Sequence, residues 1–192
     1  MKFRRIITLT LALSMFGTVS VFADSIGQQI RVIINNREAS DPGLIVDGKT
    51  MLSLREMAES LHALIAWNEE AKKVQIIKPN VHMFLIDAEK DKIFNEVERG
   101  KADFIFIAQT DNLLADVYSF RVTITDPYGK VTDIVPETIF TDQKDTYNTR
   151  SKEMSYDFRF TGKYTIDYQM KLTRNHDYQT VSQKVITSRS LK

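Results

Sequence analysis

The chain has 192 residues, a formal charge of +1 with 27% charged side chains, and no cysteine. That length holds one large domain or two small ones, and the near-neutral balance gives no bulk attraction to nucleic acid or anionic lipid. The lack of cysteine excludes a disulfide framework, a thiolate metal site and anchoring through a lipid-modified cysteine.

Lys2, Arg4 and Arg5 make a positive start, Ile6 to Phe16 an apolar run, and Val21-Phe22-Ala23 the small residues of a cleavage site before Asp24. This is the pattern of a secretory signal peptide over 1–23. The run is shorter than the ~20 residues a spanning helix needs, so cleavage is expected rather than retention as an anchor. No transmembrane segment is expected after it. Cleavage leaves 169 residues with 23 basic and 25 acidic side chains, a formal charge of −2. Thr187 to Lys192 carry neither an apolar tail nor a sorting motif. The expected location is secreted, extracellular or wall-associated.

After a short polar lead, Ile30 to Ile34 read as a strand, Asn35-Asn36-Arg37 as a turn and Asp41-Pro42-Gly43 as a second turn. Leu44–Val46 and Lys49–Leu52 flank Asp47-Gly48, the preferred chemistry of a tight hairpin. A helix starts at Ser53, with Glu56 placed to complete a capping box. Leu54, Met57, Ala58 and Leu61 form one apolar stripe. His62 takes the left-handed position at the helix end. Leu64 to Trp67 enter a strand, 68–72 turn, and Lys73–Ile77 close a small β-α-β-β unit.

Lys78-Pro79-Asn80 mark a boundary, and beyond it the pattern is strands only. Val81–Ile86 is one. Ala102–Ala108 is almost continuously apolar, as for a strand buried on both faces. Tyr118, Phe120, Val122 and Ile124 alternate with polar residues. So do Met154, Tyr156, Phe158 and Phe160, and then Tyr164, Ile166, Tyr168, Met170 and Leu172. Asp126-Pro127-Tyr128-Gly129 turns, Val131–Val135 resumes, and Thr180–Thr187 is a final strand. About seven short strands with turns between them suit an antiparallel sandwich.

The order of elements from Ile30 to Ile77, with Thr50-Met-Leu-Ser-Leu-Arg-Glu-Met-Ala-Glu-Ser-Leu-His-Ala63 and Trp67-Asn68, resembles the copper amine oxidase N-terminal (stalk) domain. The family pattern has Pro where Ser53 stands and Gly where His62 stands; both substitutes suit a helix start and a left-handed helix end. The turn at 126–130 and the Gly162-Lys-Tyr-Thr-Ile166 start resemble bacterial immunoglobulin-like domains. The fold class is therefore expected to be α+β: a stalk-type domain over 24–79, then an all-β antiparallel immunoglobulin-like sandwich over 80–192.

Chemistry is sparse along this chain. A copper site needs imidazoles brought together, and His62, His82 and His176 show no paired spacing. No metal or cofactor is expected. Glu56, Glu59, Glu69 and Glu70 read as solvated, and Asp142 and Asp145 lack the spacing of a calcium loop. No nucleophile motif or phosphate loop occurs. Most aromatics alternate onto the core face, while Tyr128, Tyr147 and Tyr178 fall in turns or loops. Trp67 matches the family's tryptophan and is expected to pack against the helix. Arg55 matches the family's arginine; a bridge to a carboxylate or carbonyl is expected, with ligand contact as the other role.

The resemblance implies a non-catalytic, exported module that recognises cell-wall polymer or an envelope protein, with Arg55, Tyr128 and Tyr147 as candidate contacts. Two other readings stand beside it. One is a secreted hydrolase or metal-dependent enzyme with an unrecognised site. The other is a secreted regulator of an envelope enzyme acting through the loop 141–152.

Overall fold

A computed structural model describes residues 27–142 and 145–190. The proposed signal peptide and its cleavage site lie outside the described residues. Among these residues the fold is mostly β, with 17 strands and one short helix.

The first part is built from small hairpins. β1 (Gln28–Ile30), β4 (Gly43–Val46) and β5 (Lys49–Met51) form one three-stranded sheet. Asp47 (φ 50°) and Gly48 (φ 71°) make the tight turn that their sequence predicts. β2 (Ile33–Ile34) and β3 (Arg37–Glu38) pair around Asn35 and Asn36, both at positive φ. The expected single strand 30–34 is thus split between two sheets. Helix α1 (Leu54–Ser60) begins at Ser53, whose hydroxyl accepts the Glu56 N–H, and ends with His62 at φ 53°.

Two features of the helix differ from expectation. The Glu56 carboxylate does not turn back on its own cap. It accepts the backbone N–H groups of Ser40 and of Asp41, the latter at 2.9 Å. The loop leading into β4 passes the helix start and offers two backbone donors where a capping box offers one. The apolar stripe is also only half covered: Ala58 is buried, but Leu54 and Leu61 are 48% and 55% exposed.

β6 (Leu64–Asn68) and β7 (Lys73–Ile77) form a separate hairpin. Beyond it, two five-stranded sheets face one another. The first runs β10 (Glu96–Glu98), β17 (Gln179–Arg189), β16 (Gly162–Lys171), β12 (Ser119–Thr125), β13 (Val131–Ile139). The second is centred on β11 (Gly100–Asp111) and β8 (Asn80–Asp87), with β9 (Lys92–Ile93), β14 (Tyr147–Arg150) and β15 (Met154–Phe158) around them. β14 and β15 follow the same edge of β11, interrupted where Ser151 exchanges bonds with the Phe106 backbone.

One hydrophobic cluster joins the sheets: Leu85, Phe104 and Phe106 on one side, Ile124, Ile166 and Tyr168 on the other. Phe120 stacks on Tyr168 with ring centroids 5.2 Å apart. Leu64 and Ile77 of the β6–β7 hairpin belong to the same cluster.

Among the described residues all pairings but one are antiparallel; β10 runs parallel to β17. In β11 the buried residues alternate: Phe104, Phe106 and Ala108 are fully covered, whereas Ile105 and Ile107 are half-buried. The expectation of a strand buried on both faces therefore holds on one face only, because β11 lies in an outer sheet with one face on the core.

Candidate functional site

Cross-strand register gives the β6–β7 hairpin two distinct faces. Leu64, Ala66 and Asn68 lie opposite Ile77, Gln75 and Lys73 and share one face; Ile65 and Trp67 lie opposite Ile76 and Val74 on the other. The inner face packs on the sandwich through Leu64 and Ile77. The outer face is open, with Trp67 53%, Ile76 45% and Val74 36% exposed.

Trp67, expected to pack against the helix, is instead half exposed. A two-stranded hairpin has one buried face, and Leu64 and Ile77 take it. The indole N–H instead donates to Glu69.

Gln179 and Lys78 fasten this hairpin and its flanks to the sandwich, and Ser182 joins β17 to β8 beside them. The Gln179 amide accepts the Ile65 N–H at 2.7 Å and donates to the Ile65 carbonyl at 3.2 Å, closing the edge of β6 as a neighbouring strand would. Lys78 Nζ donates to the His62 carbonyl (2.9 Å) and to the Val181 carbonyl (2.7 Å). Desolvation lowers the Lys78 pKa. Ser182 Oγ donates to the Val81 carbonyl at 3.0 Å.

A groove of about 590 Å³ lies where the inner face of the hairpin meets the loops at 113–116 and 172–176. Ala66, Gln75 and Ile77 form one wall, Leu113, Leu114 and Ala115 another. Asp116, Asp145 and His176 supply its ionisable groups, with Leu172 and Thr173 beside them.

A polar constellation lies on the outer side of the first sheet. The Glu137 carboxylate accepts from Lys171 Nζ (2.9 Å), the Tyr178 hydroxyl (2.8 Å) and Ser119 Oγ (2.9 Å). These donors, Lys171 foremost, hold the Glu137 pKa down to about 2. The same bond raises the Lys171 pKa. Arg121 stands 4.2 Å from the Tyr178 ring centroid and Lys171 4.7 Å, so one tyrosine is gripped by two cations.

A serine, a lysine and a glutamate in contact invite a hydrolytic reading, but the electrostatics oppose it. A general base must have a pKa near the working pH. Glu137 is locked as an acceptor and Lys171 as an ammonium, so neither takes the Ser119 proton. The cluster fixes the 172–178 segment to the sheet. Register brings it together, with Ser119 directly opposite Lys171, and no local sequence pattern announces it.

The three residues singled out from the sequence do not meet. Arg55 is exposed on α1 and makes no hydrogen bond or ion pair among the described residues, so the expected bridge is not seen there. Tyr128 is 78% exposed in the turn after β12 and meets Phe160 edge-on at 4.6 Å.

Tyr147 is not in an exposed loop. It is half-buried in β14, its hydroxyl 3.1 Å from that of Tyr168, and its ring against Phe120 near the start of β12. Tyr128 and Tyr147 thus sit at opposite ends of β12. Burial pushes both the Tyr147 and Tyr168 hydroxyls up.

Of the histidines, His82 and His176 are exposed and His62 is half-buried. Burial, then Lys78, lowers the His62 pKa. Among the described residues no three His, Cys, Asp or Glu side chains come together as a metal site requires, and no helix is long and apolar enough to cross a membrane.

No curated protein matches the chain. Residues 32–112, from the first hairpins through α1, β6–β7, β8 and β11, match the family model of the copper amine oxidase N-terminal domain, the family that the pattern of 30–78 resembles.

Proposed function

We propose that this chain is an exported, non-catalytic binding or structural module of the bacterial cell envelope, recognising cell-wall polymer or an envelope protein. The matched domain is a non-catalytic one, and the leader-like start of the sequence supports export. The observation that carries the reading is the outer face of the β6–β7 hairpin, where Trp67, Val74 and Ile76 stand exposed side by side within the matched stretch. An exposed aromatic set among aliphatic side chains serves contact with another molecule better than it serves this fold.

The finer architecture belongs to the same proposal: a stalk-type unit over 24–79 and an immunoglobulin-like sandwich over 80–192. The Tyr164 hydroxyl supports the second part. It accepts the Phe160 N–H (2.9 Å) and donates to the Phe160 carbonyl (3.2 Å), bonding back four residues upstream as tyrosine corners in such sandwiches do.

The test is co-sedimentation of the chain from Asp24 onward with isolated wall sacculi at low and high salt. Salt-resistant pelleting is expected. Trp67→Ala should lower it by about fivefold or more, the loss of a hot-spot aromatic. Arg55→Ala and Tyr128→Ala test the sequence-derived contacts in the same assay. No pelleting at either salt removes the wall polymer. Pull-down with and without Trp67 then decides the envelope-protein arm.

A further inference from the structure

We propose that the groove beneath the hairpin is a second binding site, for a peptide side chain that carries a primary ammonium on an aliphatic stem. It uses the inner face of β6–β7, opposite to Trp67, and does not depend on what the outer face binds.

The groove's size suits one side chain with part of its backbone, within the ~300–1,000 Å³ typical of small-ligand sites. Its chemistry is lopsided. Asp116 and Asp145 line it, no lysine or arginine does so among the described residues, and neither aspartate enters an ion pair there. An incoming cation therefore meets two carboxylates without having to displace a resident partner among those residues. The Asp145 backbone is held in place, its carbonyl accepting the Leu113 N–H at 2.9 Å.

The walls select the rest of the ligand. Leu113, Ala115, Leu172 and Ile77 offer methyl and methylene surface, and Leu114 stands 68% exposed at the rim. A lysine-type stem lies along such surface while its head reaches a polar end. An ammonium brings three donors, and the carboxylates, the Gln75 amide oxygen and the Thr173 hydroxyl are acceptors for them. A guanidinium favours flat aromatic stacking, and a sugar ring favours an aromatic platform. No Phe, Tyr or Trp lines this groove among the described residues.

The probe is Nα-acetyl-lysine N-methylamide, titrated into the protein and followed by backbone amide NMR, with the Nε-acetylated form as its neutral counterpart. Saturable shifts at 113–116 and 172–176 are expected with the ammonium form. Affinity should fall about fivefold or more with the acetylated form, and likewise in the Asp116→Asn/Asp145→Asn double variant, the scale of two exposed charge contacts. Leu114→Lys, at an exposed position, sets a competing ammonium at the rim and should weaken binding with the fold intact.

Equal binding of the two probes, or affinity unchanged in the double variant, overturns the proposal. So does failure to saturate, or tighter occupation of the same residues by a neutral N-acetylhexosamine disaccharide. Trp67→Ala leaves this binding unchanged and the aspartate variants leave sacculus pelleting unchanged, so the two readings fail separately.

Discussion

Glu56 sits in the first turn of α1, yet its carboxylate serves the loop before β4 and not its own helix. Two backbone donors converge on one anion, and hydrogen bonds to a charged group are the stronger kind. Glu56→Ala is expected to cost about 1–3 kcal/mol. Hydrogen exchange should speed up at Ser40 and Asp41 while the middle of α1 keeps its protection; faster exchange in the helix instead would restore the capping-box role.

Glu137 makes a different prediction. Its folded pKa lies near 2, below its ordinary value of 4.5. Its contribution to stability is therefore complete above 4.5 and lost as pH falls through about 2. Urea midpoints measured between pH 5 and 2 should drop in the native protein and drop less in Glu137→Gln. The turn at Asp47-Gly48 and the left-handed His62 were legible in the sequence because each depends on its own backbone. The partners of Glu56 and Glu137 were not, because each is set by where a distant segment passes.

At the scale of elements, local pattern located α1, β6, β7 and the alternating strands of the sandwich. It could not orient β6. Leu64-Ile65-Ala66-Trp67 is apolar on both faces, so a period of two has nothing to choose between; the main core chooses by taking Leu64. Trp67 is left outside for that reason. β10 was equally hidden, being a short charged segment whose parallel pairing with β17 depends on a crossover.

The edge of β6 offers a clean test. Gln179→Ala removes both bonds to Ile65 and should cost about 1 kcal/mol or somewhat more. Faster exchange at the Ile65 amide is expected, with the centre of β16 unaffected. An unchanged Ile65 amide would mean that the side-chain bridge does not close this edge.

For the molecule as a whole, the composition and strand spacing pointed to two facing sheets, and one hydrophobic cluster spans both. What composition could not reveal is how much converges on β17. This strand pairs with β16 and β10 inside its sheet, while Gln179, Val181 and Ser182 hold the hairpin, Lys78 and β8. The partners are 101 to 114 residues apart in sequence.

Synthesis runs from the amino-terminal side, so the groups that will rest on β17 emerge long before it does. Until Gln179 and its neighbours arrive, the Ile65 edge, the Lys78 amine and the Val81 carbonyl have only water to bond. Closure waits on the far end of the chain, as in other topologies dominated by distant pairings, which fold slowly. The arrival of β17 therefore sets the moment at which the hairpin, Lys78 and β8 can be joined.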